Sequence, residues 1–208
     1  MAGTREASVS ESTRERILEA ACDLIAAQGI DEVRIARVAM KAGASTALVH
    51  HYFSTREELL TEALRHSFSM AGEERFGGDS EQSSATAGLA QAIRECLPLP
   101  GPQEREWVLW VELWLRAVRD EELRPVAADL YRRYRDWMAS FIEAGIASGE
   151  FDAGAGAEAT ADAAMALLDG VGVRALIGDP AMDAERGRTL VAEELAARLG
   201  IDPADLLA

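Results

Sequence analysis

Apolar residues recur at intervals of three and four along nearly the whole chain, the period of an amphipathic helix. Ile17, Leu18, Ala21, Leu24 and Ile25 share one face of a helix from Ser12 to Gln28, with Gly29 as its C-terminal stop. Val33, Ile35, Val38 and Ala39 continue this small core into two short helices joined by a tight turn at Gly43, and Ser45 supplies the N-cap of the second. After Tyr52 and Phe53, Ser54 or Thr55 caps a fourth helix whose first turn holds Glu57 and Glu58, where the helix dipole favours acids. That helix extends to about Glu74 and meets GGDSEQSSATAG, a Gly/Ser-rich break.

The second part of the chain keeps the same period. Helices are expected over Ala85 to Cys96, ended by PLPGP, over Gln103 to Arg119, and over Glu122 to Ser148. Trp107, Trp110 or Val111, and Trp114 line one face of the second of these; Ala127, Leu130, Tyr134, Trp137, Met138, Phe141 and Ile142 line the third. Two more, about Gly156 to Ile177 and Asp183 to Leu199, are rich in Ala and Gly, whose small side chains let helix axes approach closely. No alternating strand and no internal repeat is found, so the fold class is all-α with about nine helices. Residues 1–11 are small, polar and unpatterned, and read as a flexible arm. Residues 12–58 form a three-helix domain with a helix-turn-helix, and 59–208 a larger helical bundle, the fourth helix linking the two.

Charge gives the small domain a meaning. The 208-residue chain carries a net charge of −15, yet Val33 to Arg56 contains Arg34, Arg37, Lys41 and Arg56 and no acid. Two short helices joined by such a turn place the second in a DNA major groove. Residues 1–70 hold 8 basic and 10 acidic side chains, so most of the negative excess lies later in the chain. Beyond a Debye length of about 8 Å it is largely screened from a bound duplex. Cys22 and Cys96 lack the spacing of a metal site or disulfide framework and read as buried thiols. No apolar run is long enough for a membrane span and no secretory signal opens the chain, so a cytoplasmic protein is expected. No nucleophile elbow, phosphate loop or zinc motif occurs, hence no catalytic residue, metal or cofactor is assigned. Glu62 and His66 share a helix face, but two ligands do not make a metal site.

The stretch AGASTALVHHYFSTREELL resembles the TetR family of bacterial one-component transcriptional regulators. Over residues 12–65, Gly29, Val38-Ala39, Ala42-Gly43, Ser45, Tyr52-Phe53 and Glu58-Leu59 follow the family's order and spacing. MALLDGV at 165–171 resembles the C-terminal domain of the choline-responsive BetI-like branch. The resemblance implies a homodimer with an N-terminal DNA-binding domain and a C-terminal domain that combines dimer interface and effector pocket. Four features depart from the usual pattern. Arg34 stands where a Thr is frequent, Thr46, Ala47 and Leu48 replace a Lys-Gly-Thr run, His50 replaces a Tyr, and Arg56 replaces a Lys.

Together these readings assign the DNA-binding set. Thr46, Leu48 and His50 are expected at base edges, with Leu48 able to meet a thymine methyl; Ser45, Ala47 and His51 belong to the same helix. Arg34, Tyr52 and Arg56 are expected on phosphates, and Lys41 near the end of the preceding helix. Trp110, Trp114, Tyr134, Trp137, Met138, Met165 and Asp169 are the expected effector pocket, with a cationic ligand held between indoles and acids such as Glu112 and Asp169, or an apolar-aromatic one. Leu168, Val171, Ala175, Leu190, Val191 and Leu195 are the expected dimer interface. The expected function is a ligand-responsive repressor that leaves a palindromic double-stranded DNA operator when its effector binds. The alternative is an all-α carrier or enzyme whose N-terminal helices bind protein.

Overall fold

Local stop signals and apolar stripes divide the chain into helices. The computed structural model describes residues 2–76, 84–152 and 154–208. Its α-helices are α1 (Ala2–Gln28), α2 (Ile35–Ala42), α3 (Thr46–Tyr52), α4 (Arg56–Phe76), α5 (Ala85–Glu95), α6 (Pro102–Ala117), α7 (Arg124–Ser148), α8 (Ala157–Leu176), α9 (Ala184–Leu199) and α10 (Pro203–Leu207). A 3-10 turn, Ile30–Glu32, separates α1 from α2. No strand occurs among the described residues, in keeping with the all-α class.

Two boundaries differ from expectation. The arm expected over residues 1–11 is helical backbone from Ala2 onward, continuous with α1. No proline interrupts it, and Arg5, Glu6 and Ala7 are good helix formers. Met1 and residues 77–83 of the Gly/Ser-rich break lie outside the described residues. A tenth helix was missed: Asp202 accepts from the Ala204 amide as N-cap, Pro203 opens the first turn, and Leu206 is buried.

The described chain forms two compact units. Unit 1 comprises Met1–Arg75 and Val108–Ala127, and unit 2 comprises Phe76–Trp107 and Ala128–Ala208. The division expected after residue 58 is one of role. By packing, α4 goes with the N-terminal helices, because it buries Leu59, Leu60 and Leu64 and its Ala63 carbonyl accepts from the buried Cys22 thiol of α1 at 3.1 Å.

Unit 2 packs α8 on α9, and α10 on both α5 and α9. Gly172 of α8 lies under the Trp107 indole, where an added Cβ would come within 2.1 Å of the ring. That ring cannot simply swing away, because its Nε1–H donates to the Cys96 carbonyl at 3.2 Å. At the start of α5, the Glu150 carboxylate accepts from the Ala85 and Thr86 amides and, at 2.8 Å, from the Thr86 hydroxyl. These bonds, led by the Thr86 amide, hold Glu150 down to about 2 from the ordinary 4.5. A carboxyl depressed in the folded state stabilises the fold above its unfolded value and loses that effect as pH falls. The melting temperature of wild type is therefore expected to exceed that of Glu150→Gln above pH 4.5, and the gap to close as pH falls towards 2. A gap independent of pH across that window contradicts this account of α5 capping.

Candidate nucleic-acid interface

The reading head is built by caps. α2 ends at Gly43, whose φ of 63° is the left-handed conformation that only glycine adopts cheaply, and the Ala44 amide closes back on the Ala39 carbonyl at 2.9 Å. Two residues on, the Ser45 hydroxyl accepts from the Leu48 amide at 3.1 Å and starts α3. Val49 and Phe53 point into unit 1 and are almost wholly buried. Ser45, Thr46, Ala47, His50 and His51 are therefore left exposed, while Leu48 and Tyr52 are half-buried. The His51 and Tyr52 rings meet edge to face at 5.3 Å. Thr46 and His50 are open to solvent on α3, whereas Leu48 has less of its side chain free.

The expected phosphate contacts separate. Arg34, exposed, uses one guanidinium nitrogen on the Asp31 carbonyl at 2.6 Å. Lys41 pairs with Asp23 of α1 at 2.9 Å. Arg56 is a correction to the sequence reading. Its Nε donates to the Val33 carbonyl at 2.8 Å, and its Nη2 to the carbonyls of Ile30 at 2.6 Å and Asp31 at 3.0 Å. Its Nη1 donates to Glu57 at 2.6 Å. With three of its donors on the turn before α2 and one on Glu57, Arg56 is engaged as an internal strut.

The strut continues into α6. Glu57 also accepts from Arg116 at 3.0 Å, and this bond holds its carboxyl below the usual range. One turn earlier on α6, Glu112 accepts from the Ile30 amide at 3.2 Å. Glu112, read from sequence as a partner for a cationic ligand, is thus engaged with the turn between α1 and α2. The His66 imidazole faces Glu19 at 3.9 Å, and Glu62 is taken by Arg14 at 2.8 Å, so the pair expected on α4 does not converge.

The expected pocket residues fall in both units. In unit 1, Trp110 packs on Phe68 of α4 at 5.2 Å and on Trp114 at 5.3 Å. In unit 2, Tyr134, Met138 and Met165 are buried, and Trp137 packs on Tyr134 and Phe141. Asp169 of α8 accepts from the Tyr131 hydroxyl of α7 at 2.8 Å. Burial pushes the Asp169 carboxyl above its usual range, and burial beside that carboxylate pushes the Tyr131 phenol up as well. A groove of about 460 Å³ at α5 and α10 of unit 2, near Thr86, Arg94 and Asp205, includes none of the expected pocket residues.

Comparison with known proteins bears on this arrangement. Residues 17–63 match the model of bacterial regulatory proteins of the tetR family, and 85–200 match the BetI-type transcriptional repressor C-terminal domain, more than half of the chain. The chain belongs to the TetR family. It is 24% identical over 190 residues to the HTH-type transcriptional regulator BetI of Brucella canis, covering 91% of this chain and 93% of that protein. Among solved structures, a putative transcriptional regulator from Saccharomonospora viridis in complex with choline superposes with a TM-score of 0.83 at 28% identity, covering 91% of this chain and 98% of that one. A putative TetR-family regulator from Rhodococcus sp. gives 0.73 at 28% identity, covering 90% and 98%.

The protein is thus a transcriptional regulator of the TetR family. Members of the family bind DNA operators, act as dimers and bind small-molecule effectors. Among the described residues no helix is long and apolar enough to cross a membrane. The residues expected at a dimer interface lie mostly inside the protomer. Leu168, Val171, Val191 and Leu195 are no more than 4% exposed within a single chain, on α8 and α9, which pack on each other. Ala175 and Leu190 are half-buried. The opposite face of α8 carries Ala163, Ala166, Gly170 and Val173 at helical spacing, continued by the C-cap residue Ile177, which is 73% exposed, and no atom lies within 4 Å of a Cβ built at Gly170. Sequence reading passed over this stripe because α8 has small apolar residues on both faces.

Proposed function

We propose that this TetR-family protein is a repressor that binds a palindromic operator as a homodimer and is released by a cationic small molecule. The observation that carries the DNA-binding half is the exposed row Thr46, Ala47, His50 and His51 on α3, in an acid-free stretch of a strongly acidic chain. Thr46 and His50 read bases, Ala47 admits close approach, and Ser45, His51, Tyr52, Arg34 and Lys41 lie along the backbone of the site. Two copies related by a two-fold axis present two such helices to half-sites about 34 Å apart or in a related geometry. The copies meet through the outer stripe of α8, together with the half-buried Leu190 and the exposed Ala197 of α9.

For the effector, the Tyr131–Asp169 pair of unit 2 is the cation-binding element, with Trp137 and Tyr134 on the same helix as Tyr131. Burial costs the Asp169 carboxylate its solvation, and an arriving cation offsets that cost. The likeness to a regulator solved with choline favours a quaternary ammonium ion. Trp110, Trp114, Met138 and Met165 supply apolar surface in their own units. The switch runs along α6, whose Glu112 holds the turn before α2 and whose Arg116 holds Glu57 at the start of α4. Thousandfold release requires about 4 kcal/mol of coupling.

Choline titrated into the protein is expected to change Trp fluorescence and raise the melting temperature, and Asp169→Asn to remove both responses. Silence towards choline, together with a response to apolar aromatic compounds, contradicts the cationic assignment and selects the apolar one.

A further inference from the structure

The acid-free segment carries four cations besides its histidines, and their surroundings sort them. Arg34 is held on the Asp31 carbonyl, Lys41 on Asp23, and Arg56 on four internal acceptors. Arg37 alone, among the described residues of this segment, has a cationic side chain with neither hydrogen bond nor ion pair. It belongs to the outward side of α2, where Ala36, Met40 and Lys41 are also exposed while Val38 and Ala39 are buried.

Its position is unfavourable for the isolated protein. Arg37 sits in the first turn of α2, at the positive end of the helix dipole, and no acid in that turn offsets it. A local rule broken without internal compensation marks a group whose partner comes from outside. The helix that bears it packs directly on α3, whose exposed row faces DNA in the reading given above. The anion nearest such a helix pair is the sugar-phosphate backbone beside the groove that α3 enters.

We propose that Arg37 binds a backbone phosphate of the operator and supplies affinity and register without sequence preference. This rests on the reading of α2 and α3 as the DNA-binding pair. A guanidinium suits the role, since it offers two parallel donors to phosphate oxygens.

The test titrates the full-length protein, Arg37→Gln, Arg37→Lys and His50→Ala into several unrelated duplexes of about 30 bp at a series of salt concentrations. Arg37→Gln is expected to weaken binding about tenfold on every duplex and to lower the slope of log K against log salt by about 1 per protomer. Arg37→Lys recovers most of the slope, and the melting temperature of Arg37→Gln does not fall. Salt-dependent binding by wild type with the same affinity and slope in Arg37→Gln overturns the proposal and leaves a solvated surface arginine only. If wild type binds no duplex at any salt, the reading of α2 and α3 fails first, and the proposal falls with it. A loss in Arg37→Gln confined to one sequence would make Arg37 a base reader and also overturn the assignment.

Discussion

Replacing Gly170 by arginine is expected to leave the protomer folded and to remove most of its operator affinity. No atom lies within 4 Å of a Cβ built at Gly170, so the side chain enters open space. Within a helix the exchange of Gly for Arg is favourable by roughly 0.5–1 kcal/mol, so the protomer itself gains slightly. In the dimer proposed above, the same change places one guanidinium group from each copy in an apolar seam, and burying unpaired charges costs several kcal/mol. A monomer presents one recognition helix and loses the effective concentration that links two half-sites, roughly 10²–10⁴-fold in affinity. Light scattering should show a dimer for wild type and a monomer for Gly170→Arg, with unchanged helical content. A Gly170→Arg protein that remains dimeric would place the interface elsewhere. The same charge test at Leu168 would be uninformative, because that side chain is 1% exposed in the protomer and its loss would unfold α8 from α9.

The second large effect falls on Arg56. Three of its hydrogen bonds go to carbonyls of the turn that sets the start of α2, and hydrogen bonds from charged donors are worth about 1.5–3 kcal/mol each before solvent is allowed for. The side chain is 27% exposed, so water replaces part of what is lost. A net destabilisation of ~2–4 kcal/mol is expected for Arg56→Ala, which in a chain of this length lowers the melting temperature by roughly 5–15 °C. Arg56→Lys should recover little, since an ammonium cannot span carbonyls on opposite sides of a planar fork. Unchanged melting with a reduced salt dependence of DNA binding would restore Arg56 to the phosphate contacts and remove it as a strut.

These two residues also show what the amino-acid pattern could and could not disclose. Gly43 and Ser45 act on amides and carbonyls within five residues of themselves, so the turn and the cap were readable from local chemistry alone. Arg56 reaches acceptors 23 to 26 residues earlier, and a cation at the first residue of a helix looks the same in sequence whether it faces a phosphate or its own chain. The α8 stripe failed for a different reason. Small apolar residues cover most of that helix, and periodicity cannot tell the face that meets α9 from the face left outside. The aromatic residues of α6 and α7 were correctly placed in helices, and the Trp110–Trp114 pair and the Tyr134–Trp137–Phe141 row follow from spacing within one helix, but the contact of Trp110 with Phe68 of α4 depends on packing between elements far apart in the chain. The short α10 was legible in Asp202-Pro203 and passed over because five residues carry no period.

Selection of random duplex DNA by the purified protein, followed by binding titrations with wild type and His50→Ala, tests the central claim most directly. A two-fold symmetric sequence bound by wild type, with preference relaxed at one position per half-site in His50→Ala and affinity falling with salt, is the expected result. Weak binding of all duplexes alike, with no enriched sequence and no effect of His50→Ala, would contradict it.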